Sequence, residues 1–430
     1  MRSTRYKKSE EMLKKALESI PLGAQTFSKS MTQLPKGVSP FFVSKAKAAR
    51  FWDVDGNEYL DLSNALAAVT LGYCDEDIDN AVKKQMESGV TFSISHPIEI
   101  EVAEKLCKLI PCAEKVRFAK NGTDATSAAI RVARAYTGKE RIAVCGYHGW
   151  QDWYIGSTSR DLGVPKSVIN LTHKFNFNDL DSLADLFNQN ENEFAAVILE
   201  PMSAFYPEDN FLEKVQELTK EHGALLIFDE TVTGFRFSIG GAQELFDVTP
   251  DIATFGKGMA NGYPLSALVG KTKYMDMVED IFFSGTFGGE TLSLAAAKAV
   301  LEKLEKNDVF SHMNNMGDKL NQGLNEIIIE LDMQEIIGLT GHPIWSFLIF
   351  SDYNHINSFK IKTFFMQEMF KRGVYTIGAN TISYSHQEED IDFALKAYKE
   401  VFIKIKKAIE LDNFDSVLDC EPLKPLFKVR

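Results

Sequence analysis

The chain has 430 residues, 45% hydrophobic and 25% charged, ordinary values for a globular protein that can bury a large core without disulfides. Its 47 basic and 60 acidic side chains give a formal net charge of −13, which argues against a nucleic-acid partner or an anionic membrane surface. At about 150 residues per domain, the length predicts two to three domains. Five cysteines lack any Cys-x-x-Cys pair or metal-ligand spacing near a histidine. They read as free thiols of a reducing compartment, with no metal site. The N-terminus starts basic but alternates charge, unlike a signal peptide, and no apolar run of about 18 residues occurs. The expectation is a soluble cytoplasmic protein.

In chain order, residues 6–20 carry Met12, Leu13, Ala16 and Ile20 at helical spacing. A Pro- and Gly-bearing loop follows, then Asp53-Val54-Asp55-Gly56-Asn57 between two apolar runs, a hairpin signal. The middle alternates short apolar runs at 116–119, 142–145, 195–199, 224–228 and 252–255 with helical stretches at 125–136, 180–188 and 211–222. That βαβ rhythm predicts an α/β fold with a mostly parallel sheet and helices on both faces. After about residue 300 the texture changes to long helices at 292–306, 308–331, 358–372 and 389–408, with short strands such as 345–350. The expected organisation is an N-terminal segment (1–60) that joins a small domain, a large domain (61–300) and a C-terminal small α+β domain (301–430).

Ligands of such sheets bind at the carboxyl ends of the strands, so the turns there are where chemistry is expected. Lys257 follows an apolar strand in a Gly-rich turn, Gly256-Lys257-Gly258. Alone it is a solvated loop residue. Upstream, Asp229 ends the buried run Leu225-Leu226-Ile227-Phe228, where a carboxylate is costly without a cationic partner. A Lys and an Asp at two strand ends suit pyridoxal phosphate, the Lys as Schiff base and the Asp beside the protonated pyridine nitrogen. Lys120-Asn121-Gly122-Thr123-Asp124 ends a strand and opens a helix, which fits either a phosphate seat or an ordinary N-cap.

These motifs, with Tyr147-His148-Gly149, Glu200-Pro201, Gly234-Phe235-Arg236 and Gly285-Thr286, occur in the order and spacing of a known family. The chain resembles the class III pyridoxal-phosphate aminotransferases of fold type I, in the glutamate-1-semialdehyde aminomutase-like branch, and within it members associated with surface-polysaccharide pathways. The resemblance runs from about Pro21 to Asp392. It implies Lys257 as the Schiff-base lysine and Asp229 as the ring-nitrogen partner. Gly122 and Thr123 match the phosphate loop, Tyr147 the residue stacked on one ring face, and Thr231 the position under the other. Thr286 matches the threonine that reaches the phosphate of the neighbouring subunit, which implies a homodimer.

Departures from the mutase pattern bear on the substrate. Val232 stands at the apolar position usual in that branch. Lys29 aligns with the mutase's carboxylate-gripping Arg, and a point charge does not replace a bidentate fork. Ala65 aligns with a Trp, and Phe205 lies near a polar position. Lys29, His148 and Glu200 are the candidate substrate contacts, His148 reading also as structural. Trp150, Trp153 and Tyr154 fit either a substrate wall or core. The expected activity is transfer of an amino group from a small-molecule donor to a carbonyl acceptor, sugar-derived or phosphorylated. The alternative is glutamate-1-semialdehyde 2,1-aminomutase, and a remote one is a non-catalytic binding module.

Overall fold

The computed structural model describes residues 4–424. The chain divides into two compact units: one runs up to Asp75 and resumes at Val309, and the other is Glu76–Asp308. Along the chain the first unit opens with β1 (Val43–Lys47), β2 (Arg50–Asp53) and β3 (Glu58–Asp61). The second holds β4 (Lys115–Ala119), β5 (Arg141–Cys145), β6 (Thr172–Lys174), β7 (Phe194–Leu199), β8 (Leu225–Glu230), β9 (Ile252–Phe255) and β10 (Ser266–Gly270). The first unit resumes with β11 (Ile337–His342), β12 (Trp345–Phe350), β13 (Val374–Tyr375) and β14 (Ala379–Thr381).

In the first unit β2 and β3 form the expected hairpin. Its turn is held by Asp53, whose carboxylate accepts the Asn57 N–H at 2.7 Å and the Asn57 side-chain amide at 2.8 Å, while Gly56 supplies φ +88°. The sheet order is β1-β2-β3-β13, and β11-β12-β14 form a separate antiparallel sheet. Just after β3, Asn64-Ala65-Leu66-Ala67 make a left-handed turn, with φ of +44°, +52°, +58° and +64°. Such a run costs about 1–2 kcal/mol per residue for side chains bearing Cβ. Asp61 over-determines it: its carboxylate accepts the N–H groups of Ser63 and Asn64 at 2.7 and 3.0 Å, and the Tyr73 hydroxyl donates to it at 2.6 Å. Among the helices, Ser358–Lys371 carries the buried Glu368, whose carboxylate meets Lys371, Arg372 and Lys404 at 2.9, 3.0 and 2.6 Å.

The second unit is built on one seven-stranded sheet, ordered β4-β10-β9-β8-β7-β5-β6. β10 runs antiparallel to both neighbours, and every other adjacent pair is parallel. All six positions of β7 and of β8 are buried, as a sheet covered by helices on both faces requires. Ile130 and Val132 of the helix Gly122–Thr137 pack with Val144, Ile198, Ile227 and Leu268 in its core. The five expected strands are present, with ends moved by at most two residues. β6 and β10 were not expected: each is short, and neither shows an alternation that separates it from a loop.

All five cysteines are free thiols. Among the described residues no helix is long and apolar enough to cross a membrane.

Candidate active site

Four turns and one strand end gather at one edge of the large sheet, because the strands point the same way. Lys120–Thr123 follows β4, Gly146–Gly149 follows β5, Glu200 follows β7, Asp229 is the penultimate residue of β8, and Gly256-Lys257 follows β9. The register pairs Cys145 with Leu199, Leu199 with Phe228 and Asp229 with Thr254, so the ends are level.

Asp229 is 4% exposed, and three donors reach its carboxylate. His148 Nδ1 lies 2.9 Å away, the Thr231 N–H 3.1 Å and the Thr254 hydroxyl 3.2 Å. Burial pushes the acid upward, but the hydrogen bonds from His148 and Thr231 prevail and hold it below the usual carboxylate range. Asp229 is therefore a buried anion. Its neighbour Glu230, on the other face of β8, accepts the N–H groups of Ala242 and Gln243 at 2.7 and 2.9 Å and serves that loop.

Lys257 is half-buried and takes φ +40°, an uncommon left-handed backbone for a residue with a Cβ. Strain of this kind collects at functional sites. Thr231 lies between two of the turns: a Cβ on Gly122 would meet its Cγ2 at 2.9 Å, and one on Gly256 at 3.4 Å. Gly122 and Thr123 open the helix Gly122–Thr137, and Asp124 accepts the Asn121 N–H at 2.8 Å. The Thr123 hydroxyl is buried without a hydrogen-bond partner in the protein. A buried orphan hydroxyl is costly unless something binds it. Gly149 closes over it: φ is +108°, and a Cβ there would fall 2.3 Å from the Thr123 Oγ1.

Two of the candidate substrate contacts are buried. His148 is 1% exposed, with one ring nitrogen against Asp229 and the other 3.1 Å from the Cys145 carbonyl. Glu200 is buried and accepts the Tyr147 N–H at 2.9 Å, holding the turn after β5. Tyr147 itself is 38% exposed. Trp153 and Tyr154 are core, whereas Trp150 and Phe205 are exposed. Thr286 lies in the exposed stretch Ser284–Phe287, beside a cleft of about 410 Å³ that Lys120, Asp124 and Arg131 also line. In the other unit, Lys29 ends the short turn Phe27–Lys29 and is exposed. Sequence reasoning missed Thr254, which meets Asp229 only through the β8–β9 register, and it placed Gly149 in a motif but not against Thr123, which depends on the path of the chain.

A buried anion, a strained half-buried lysine and an orphan hydroxyl at a helix start fit pyridoxal phosphate, with its cationic ring nitrogen, aldehyde and phosphate. The fold and this edge define a fold type I pyridoxal-phosphate enzyme. The family model for class-III aminotransferases matches residues 33–399, and the chain belongs to that family. It is similar to a 3-aminobutyryl-CoA aminotransferase of Cloacimonas acidaminovorans, 35% identical over 94% of this chain and 98% of that protein. A glutamate-1-semialdehyde 2,1-aminomutase of Alkaliphilus oremlandii is also 35% identical, over 93% of this chain and 100% of its own. Among solved structures, a Sphingopyxis FumI protein in a PLP form matches with a TM-score of 0.87 at 28% identity, covering 98% of this chain and 99% of that one.

Proposed function

We propose that the protein is a transaminase that passes an amino group from a small-molecule donor to a small carbonyl acceptor. A sugar-derived or phosphorylated acceptor is the preferred class. The observation that carries the reading is the convergence of Lys257, Asp229 and Thr123 on one sheet edge.

In this reading Lys257 attaches the cofactor covalently, and bound pyridoxal phosphate supplies an electron sink for the carbon that carries the amine. Gly122 and Thr123 hold the phosphate with backbone N–H groups and the Thr123 hydroxyl. Tyr147 covers one ring face and Thr231 the other. Asp229, kept ionised by its donors, holds a proton on the ring nitrogen. With the cofactor bound, the Lys257 Nζ would carry the proton between the amine-bearing carbon of the donor and the cofactor in the first half-reaction, and from the cofactor to the acceptor carbon in the second.

Thr286 is proposed to reach the phosphate of a second copy. In support, Phe282 and Phe287 beside it are 84% and 59% exposed. The neighbouring stretch is tied to this segment by the Thr291 N–H bond to the Val90 carbonyl, and it adds exposed Phe92, Ile94 and Ile100. Large apolar side chains left exposed on both segments favour a covering partner.

Two features support the acceptor class. Lys29 offers no fork for a carboxylate, and the Cloacimonas relative's name denotes a CoA thioester, a substrate type whose acyl end has no free carboxylate. The 35% identity to an aminomutase favours a second reading, intramolecular amino transfer by the same residues. Borohydride reduction and peptide mapping should mark Lys257. Steady-state comparison of glutamate-1-semialdehyde with sugar-like, phosphorylated and thioester carbonyls, with and without an external amino donor, then separates the readings. A specificity constant for the semialdehyde about tenfold above the others would make the protein the mutase.

A further inference from the structure

We propose that Tyr154 is a positioning residue for the cofactor seat, setting both the ring that would cover the cofactor and the histidine behind Asp229. The inference rests on the seat proposed above and adds a residue that never touches it. Tyr154 lies in the short helix Asp152–Ile155 and is fully buried. Its hydroxyl donates to the Gly146 carbonyl at 2.8 Å. Its ring meets that of Tyr147 edge-on, centroids 5.7 Å apart and planes at 89°, and that of His148 at 5.3 Å and 76°. One side chain thus contacts three successive residues of the turn after β5.

That turn requires an external brace. Gly146 takes φ +106° and Gly149 φ +108°, left-handed conformations that leave the intervening Tyr147 and His148 without the support of a regular element. From the opposite side Glu200 accepts the Tyr147 N–H and fills the space where a Gly146 Cβ would lie, 2.7 Å from its Oε2. Trp153 stacks on His148 at 6.3 Å and 15°, and its indole N–H donates to Ser127 on the helix Gly122–Thr137 at 2.9 Å. The brace is therefore tied to the helix that begins at the phosphate loop.

The test compares Tyr154→Phe, which keeps the ring and removes the hydroxyl, with Ser157→Ala, which removes a 2.8 Å bond to the Tyr154 carbonyl without touching the turn. Apo melting temperature, the pyridoxal-phosphate dissociation constant, circular dichroism of the bound-cofactor band and borohydride labelling are measured on each. Tyr154→Phe should bind the cofactor about tenfold more weakly, with a weaker dichroic band per bound cofactor, because the buried Gly146 carbonyl loses its donor. Ser157→Ala should bind it as the wild type does. Wild-type binding and dichroism in Tyr154→Phe, with label on Lys257, overturn the role of Tyr154 alone. An equal loss in Ser157→Ala overturns it as well, since the effect is then general loosening of the helix. Label on another lysine in the wild type overturns the seat and this inference with it.

Discussion

Replacing Asp229 by Asn probes the charge at the centre of the site while keeping its shape. The carboxylate receives Thr231 and Thr254 on one oxygen and His148 on the other. An amide can keep its oxygen toward the two threonine donors and turn its NH₂ toward His148. The imidazole can accept that proton on Nδ1 and still donate to the Cys145 carbonyl from its other nitrogen. The fold should survive, losing only the difference between charged and neutral hydrogen bonds, about 1–2 kcal/mol, or a few degrees in melting temperature. The functional loss is larger, because a protonated ring nitrogen loses its counter-charge. A charge pair about 4 Å apart at an effective dielectric near 20 is worth about 4 kcal/mol, roughly a thousandfold in rate. Steady-state rates on a donor–acceptor pair, with cofactor content and melting measured alongside, give both numbers. Folded, cofactor-loaded Asp229→Asn turning over within about tenfold of wild type would refute the role of the carboxylate.

Three further outcomes follow from the geometry. Burial opposes the Glu368 charge, but Lys404, Lys371 and Arg372 hold its acid down to about 2. The stability this lends is complete above the ordinary carboxylate range and lost as pH falls from about 4.5 toward about 2. Allowing for the partly exposed lysines, Glu368→Gln should cost about 2 kcal/mol at neutral pH, and the gap from wild type should narrow below pH ~4.5 and close at about 2 in denaturant titrations. Gly149→Ala must displace Thr123, so it should weaken cofactor binding at least about tenfold in isotherms, whereas Gly163→Ala, at φ +91° with no atom within 4 Å, should leave binding unchanged. Ile94→Asp, on an 84% exposed apolar side chain, should shift the protein to monomer in sedimentation over a dilution series and lower cofactor affinity, and an active, loaded monomer would exclude the proposed partner contact.

The centre of the large sheet was legible because β7 and β8 are apolar runs ending in polar residues, and burial on both faces writes itself into composition. Lys257, Asp229 and the Gly122-Thr123 pair stood out because each is a polar group directly after such a run. What a polar side chain does there was less legible. Glu200 and His148 follow strands just as Lys257 does, yet register and turn conformation send them under the edge. Asp61 and Tyr73 hold Asn64-Ala65-Leu66-Ala67 left-handed, a tertiary decision that no local pattern records. The exposed face around Ile94 is likewise invisible to periodicity, because it depends on where two distant segments meet.

β10 supplies none of the proposed site residues, yet it acts as a gauge block. It separates β4, which carries the proposed phosphate turn, from β9, which carries the lysine, by two interstrand steps of about 4.8 Å each. Ladder bonds fix the offset along the strands as well: Ser266 sits opposite Ala119, and Ala267 faces both Phe118 and Phe255. A slip of one residue in either ladder would move one turn about 3.3 Å past the other and reverse the facing of every side chain on the slipped strand. The tolerance of the proposed cofactor edge is thus set in Ser266-Ala267-Leu268-Val269-Gly270, all buried and four of the five small or β-branched. Substitutions in that strand should register first as altered cofactor affinity and only later as altered chemistry.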